Sequence, residues 1–151
     1  MLDDLDRRLL RRWQADPDLS PADLAAALDL PAGRVSRRID RLREAGVLRG
    51  VRGVVDWVAM GYAVEVGLRI TLEKSVPRAF DAFLAAAREV PEVTEIQTFL
   101  GRVDARLTAI ARDMGHWQVL YRDRILALPH IAEIEALMHV ATVKTDGVLP
   151  I

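Results

Sequence analysis

Four arginines, Arg34, Arg37, Arg38 and Arg41, stand at i, i+3, i+4 and i+7. That spacing gathers them on one face of a helix. A planar guanidinium pairs bidentately with guanine O6 and N7 or with phosphate oxygens, so such a face has the chemistry of a nucleic-acid reader. Ser36 adds a hydroxyl for a base or a phosphate, while Val35, Ile39 and Leu42 form the apolar side of the same helix. Arg49 and Arg52 follow in a glycine-containing segment suited to backbone phosphates. Between Pro31 and Val55 seven arginines stand against Asp40 and Glu44 alone, a local net of +5. A charged helix face is ordinarily a solvated one. The exclusive use of arginine, concentrated in one helix and the segment after it, favours DNA.

Other chemistry is sparse. His116, His130 and His139 are the only histidines, and no HxH or HExxH spacing joins them, so structural roles and no metal are expected. With no cysteine there is no disulfide, thiolate site or cysteine nucleophile. GxSxG, P-loop and dinucleotide fingerprints are absent, and Gly50-Val51-Arg52-Gly53 fits a turn in a wing better than a phosphate cradle. The expectation is a protein that is not an enzyme and carries no cofactor.

The elements that must position the arginines follow from periodicity. Leu2, Leu5, Leu9 and Trp13, with Leu10 beside them, predict a first helix, with Asp3, Asp4 and Asp6 in its opening turn and Asp16-Pro17-Asp18 as its stop. Ser20-Pro21-Ala22-Asp23 opens a second helix as cap, first residue and capping-box partner. A third runs from Pro31 to Ala45 and ends on Gly46. Three short helices, the last two joined by about three residues, read as helix-turn-helix. Val47–Val55, β-branched around two glycines, is expected to be an extended arm or wing.

From Tyr62 the period becomes two. Val64, Val66, Leu68, Ile70 and Leu72 predict a half-buried strand, followed by a helix over Pro77–Val90. Strands are expected at Thr94–Leu100 and Asp104–Arg112. A helix from Asp113 then carries Trp117, Leu120, Tyr121, Ile125 and Leu128 inward, and a last strand covers Ala132–Lys144. The order β-α-β-β-α-β is the ferredoxin-like unit. The class is therefore α+β: a winged helix-turn-helix over 1–55, a linker over 56–61 and a ferredoxin-like domain over 62–151.

The whole chain of 151 residues carries 21 basic and 22 acidic residues, a formal charge of −1, which excludes a globally basic coat and an acidic solvating tail. At 51% hydrophobic and 28% charged it has the composition of a chain with a core. Val54–Ile70 is the greasiest stretch but is broken by Asp56, Glu65 and Arg69, too polar for the roughly 20 apolar residues of a membrane span. The acidic opening lacks the positive charge of a secretory signal, so a cytoplasmic location is expected.

Five segments in order resemble the Lrp/AsnC (feast/famine) family of prokaryotic transcription regulators. They are Leu2–Leu10, Leu19–Ala25, Arg37–Leu48 with its similarity to an RVxRLxxxGxI pattern, Leu100–Asp104, and the tail Val143–Ile151. The resemblance implies an N-terminal DNA-binding domain and a C-terminal ferredoxin-like (RAM, ACT-like) domain. The second domain would make homodimers and often octamers, and would bind amino acids or related metabolites between dimers. Paired third helices would then meet half-sites about one helical turn apart.

By that resemblance Gly101–Asp104 is an effector loop. Gly101 would let backbone N–H groups approach a carboxylate with Arg102 as its partner, Asp104 would hold an ammonium, and Thr142 and Thr145 would add hydroxyls. The same residues also read as a plain hairpin turn with charged ends. Val103 stands where the family commonly has an aromatic and Leu100 where it has Ser or Thr. Pro31 replaces a capping Ser, which costs the third helix about 1 kcal/mol. Sirohaem decarboxylases resemble the same two domains and bind a tetrapyrrole. Their typical His-Asn-Tyr stretch is not found here, and they would leave the arginine stripe unexplained.

Overall fold

The computed structural model describes residues 2–144 and 148–150. Two compact units are present. One holds the described residues of Met1–Val54 and of Lys144–Ile151, the other Val55–Val143.

In the first unit α1 (Asp4–Ala15), α2 (Pro21–Leu28) and α3 (Ala32–Glu44) enclose Leu9, Leu10, Trp13, Leu24, Ala25, Val35, Ile39 and Leu42. Leu9, Leu10, Trp13, Val35, Ile39 and Leu42 belong to the apolar stripes expected from the sequence. Both predicted starts are made by reciprocal capping boxes, Asp3 with Asp6 on α1 and Ser20 with Asp23 on α2. Each satisfies two backbone N–H groups that a helix terminus leaves unpaired. Pro31 makes no side-chain cap on α3. At the other end of α3 Gly46 takes φ 68°, and the Val47 and Leu48 N–H groups both donate to the Leu42 carbonyl, which turns the chain off the helix. The Leu149 N–H donates to Gln14 Oε1 at 2.7 Å, tying the tail to this unit.

The expected wing forms no strand: residues 49–56 have no ladder partner, and Val54 is almost wholly exposed. β-branched residues favour extension, but a strand needs a neighbour to pair with.

The second unit is β1 (Val64–Leu72), α4 (Ala79–Arg88), β2 (Val93–Thr98), β3 (Ala105–Ala111), α5 (Met114–Leu120) and β4 (Ile131–Met138). The sheet order is β2-β3-β1-β4 with every neighbouring pair antiparallel, the ferredoxin-like arrangement. Val66, Leu68 and Ile70 of β1 and Leu107 and Ala109 of β3 pack with Phe83, Ala87, Trp117, Leu120, Ile125 and Leu128. After α5 the coil widens to a π turn over Tyr121–Ile125, closed by Leu126 N–H to the Tyr121 carbonyl.

The last strand is shorter than expected. It stops at Met138 rather than Lys144, because its partner β1 begins at Val64 and the final bond is His139 N–H to the Glu65 carbonyl. Residues beyond have no ladder to join, and Val140 and Val143 are exposed. The register also shifts between Thr71 and Leu72. Ile131 and Ile134 pack against the core, whereas Ala136, Met138 and Val140 are exposed. Among the described residues no helix is long and apolar enough to cross a membrane.

Candidate DNA interface and effector loop

At about 100° per residue, the α3 face opposite Val35, Ile39 and Leu42 belongs to Arg37, with Arg34 and Arg41 beside it. Arg38 falls on the flank, about 70° from the centre of the apolar stripe. The structure separates the four accordingly. Arg34 and Arg37 are exposed, and no carboxylate among the described residues pairs with either. Ser36 is half-buried.

Arg38 retains 16% side-chain exposure and its Nη1 donates to Asp3 Oδ1 and Oδ2 at 2.8 and 2.7 Å and to Asp6 Oδ1 at 2.7 Å. Arg41 Nη2 donates to both Asp6 oxygens at 2.7 and 2.6 Å while keeping 54% exposure. Asp6 is fully buried and Asp3 about half exposed. The same carboxylates cap α1: Asp6 N–H donates to Asp3 Oδ1 at 2.8 Å and Asp3 N–H to Asp6 Oδ2 at 3.1 Å. The Asp6 N–H, and after it the Arg38 guanidinium, hold the Asp3 carboxyl down to about 2, and the two carboxylates raise Arg38 further above its ordinary value. Asp3 and Asp6 were read from sequence only as dipole-favoured residues. The signal for more was Arg38's flank position on the helical wheel.

Arg43 lies 6.0 Å from the Trp13 ring centroid and 3.7 Å from Asp40, within cation–π and ion-pair reach. Arg49 and Arg52 are exposed. Arg52 lines a cleft of about 220 Å³ with Leu10, Trp13 and Leu48, so the wing segment lies along the end of α1.

In the second unit Gly101 takes φ 151°, and the Phe99 N–H to Asp104 carbonyl bond closes the β2–β3 turn. Asp104 is already engaged: Oδ2 accepts from the Leu72 N–H at 2.8 Å and Oδ1 from Lys74 Nζ. These donors, the backbone one foremost, hold its carboxyl below the ordinary range. Asp104 shares a cleft of about 200 Å³ with Lys74, Arg78 and Phe80, and none of Gly101, Arg102 and Thr142 lines it. Arg102 is exposed, with its carbonyl accepting from Thr71 Oγ1 at 3.3 Å. Thr142 Oγ1 lies 3.0 Å from His139 Nε2 and, among the described residues, makes no bond to the loop. Thr145 lies outside the described residues. The structure thus brings Asp104 to Lys74, which sequence reasoning missed. Lys74 lies two residues past β1, whose Ile70 pairs with Ala105.

His116 Nδ1 accepts from the Arg112 N–H at 3.1 Å and His130 gives its carbonyl to the Glu73 N–H. Among the described residues no group of three or more His, Asp or Glu is placed to hold a metal ion.

Two family models match. Residues 65–149 match the Lrp/AsnC ligand binding domain and residues 2–49 a winged helix-turn-helix DNA-binding domain. The chain belongs to the Lrp/AsnC family. Like its relatives there, it is a DNA-binding transcriptional regulator. An HTH-type transcriptional regulator of Mycobacterium tuberculosis is 36% identical over 76% of this chain and 76% of its own. The solved AsnC family transcriptional regulator from Agrobacterium tumefaciens superposes with a TM-score of 0.87 at 29% identity, covering 99% of this chain and 97% of that one. A feast or famine regulatory protein from M. tuberculosis, solved complexed with L-methionine, gives 0.85 at 25% identity over 97% of each. These Lrp/AsnC relatives are named as regulators, which does not favour the tetrapyrrole-enzyme alternative.

Proposed function

We propose that this Lrp/AsnC regulator docks α3 in the major groove, with base and phosphate contacts from Arg34, Ser36, Arg37 and Arg41 and backbone contacts from Arg49 and Arg52. The observation that carries the reading is the outer face of α3, where Arg34 and Arg37 stand exposed with no carboxylate partner among the described residues. The uncapped start of α3 adds free backbone N–H groups to the same end, a position that favours a phosphate. A homodimer, or a larger homo-oligomer built from it, would set two such helices about one helical turn apart in a cytoplasmic protein.

Residues 62–151 would carry the effector response, with an amino acid or related metabolite bound between copies of this domain. The L-methionine complex of the similar M. tuberculosis protein supports that class of ligand. Gly101 and Arg102 would meet the carboxylate, while Asp104 would take the ammonium in exchange for Lys74. The effector shifts DNA binding only as far as it binds two assembly states with different affinity.

Fluorescence anisotropy on duplex DNA from the protein's own upstream region, across a salt series with random competitor, tests the reading. Tight binding that falls steeply with salt and resists competitor is expected. An Arg34→Ala/Arg37→Ala protein that stays folded and binds as the wild type does would overturn it.

A further inference from the structure

The Arg38 guanidinium sits where anionic oxygens already converge, two from Asp3 at 2.8 and 2.7 Å and one from Asp6 at 2.7 Å. With Arg41 on Asp6, two carboxylates face two guanidiniums, so the cluster is neutral. Within it Arg38 has no need of phosphate. Yet Arg34 and Arg41 lie four residues before and three after it on the helix, close enough for a released Arg38 to join their row. Two carboxylates hold Arg38 away from that row, Asp6 buried beneath it and Asp3 half exposed, and Asp3 is the one at the surface.

We propose that Asp3 is a positioning residue for DNA binding. Acting through Arg38, it holds that side chain against α1, withholds its charge from the phosphate backbone, and so lowers sequence-independent affinity relative to specific affinity. The inference rests on α3 being the DNA-facing helix. Its physical basis is counterion release: each phosphate neutralised steepens the salt dependence by about 0.9 regardless of base sequence. Arg38, 16% exposed and held by two carboxylates, contributes nothing to that slope, whereas Arg41 keeps 54% exposure and can. Arg38 would then align α3 on α1 while Arg34 and Arg37 read the DNA.

The test is Asp3→Asn in the full-length protein, because Asn caps a helix about as well as Asp and keeps the first unit folded. Binding to a random-sequence duplex is followed by anisotropy between about 50 and 200 mM salt. One extra phosphate contact makes the ratio of variant to wild-type affinity fall about 3-fold across that range. Asp4→Asn, an exposed neighbour in the same turn, is expected to change the slope less, and Asp3→Asn is expected to be silent when combined with Arg38→Ala or Arg38→Gln.

Parallel salt slopes for Asp3→Asn and wild type would overturn the proposal. So would an equal effect of Asp4→Asn, which is a general field, or an effect that persists without Arg38. Absence of salt-dependent binding by the wild type to any duplex would instead overturn the DNA-facing assignment of α3.

Discussion

Removing the Asp6 carboxylate probes the joint between α1 and α3. Asp6→Ala deletes three arginine hydrogen bonds of 2.6–2.7 Å and the reciprocal cap from Asp3 N–H, at a side chain with no exposure. Breaking a buried ion pair from one side costs about 3–5 kcal/mol, because the partner is left as an uncompensated charge. Here the damage is partly absorbed. Arg38 keeps Asp3, and the half-exposed Arg41 recovers water. The principal cap, Asp6 N–H to Asp3 Oδ1, also survives. The lower end of the range, about 3 kcal/mol, is therefore expected. A unit of some 60 residues has only about 3–9 kcal/mol in total, so the loss takes most of its margin. Native-state amide exchange reads it locally: protection in α1 and α3 should fall by roughly two powers of ten while β1 and β3 stay as they are. Protection that changes by less than about five-fold would show that the cluster behaves as an ordinary surface ion pair, and the reasoning would fail.

Two further expectations concern the other carboxylates. Asp3 is depressed from 3.8 to about 2 by the Asp6 N–H and then Arg38. Its stabilisation is therefore present above the unfolded value and lost as pH falls through the folded one. Asp3→Asn should be less stable than wild type near neutral pH, and the difference in thermal midpoint should close by about pH 2; a gap independent of pH refutes the ion pair. In the second unit Lys74→Ala removes an exposed partner from Asp104. If, as proposed, Asp104 takes the ammonium of an amino-acid effector, calorimetry with L-methionine as the probe should show binding tighter than wild type by about 1.5- to 5-fold, the equivalent of a surface ion pair no longer displaced. Weaker binding would mean that Lys74 itself contacts the effector.

The helices and the order of strands were legible because each is encoded locally. Ser20, Asp23 and Gly46 mark helix ends, and Val64–Leu72 alternates throughout. What was not legible depended on distant partners. The end of β4 is set by where β1 begins, a residue 74 positions earlier, so the apolar run past Met138 could not reveal it. The π turn at Tyr121–Ile125 was hidden because inward residues at 117, 120, 125 and 128 suit an α-helix equally well. Asp104 was read as open to a ligand because Lys74 lies 30 residues away in sequence.

The arginine stripe shows the same division most clearly. Spacing alone puts Arg34, Arg37, Arg38 and Arg41 on one face, but a helix face spans a wide arc and its edges have different neighbours. Arg38, on the edge nearest Leu42 and Val35, reaches α1, and α1 presents carboxylates there for a reason of its own. Asp3 and Asp6 close the capping box and sit where the helix dipole favours negative charge. The first 60 residues hold 11 arginines against 10 acidic residues, a net of only +1, and that is thus no argument against a basic surface. Two acids, buried Asp6 and half-exposed Asp3, are paired with two arginines, and the outer face of α3 keeps Arg34 and Arg37 unneutralised. A sequence in which Asp3 and Asp6 were both moved to the exposed side of α1 would have the same net charge. It would also have a looser α3 and four arginines competing for phosphate.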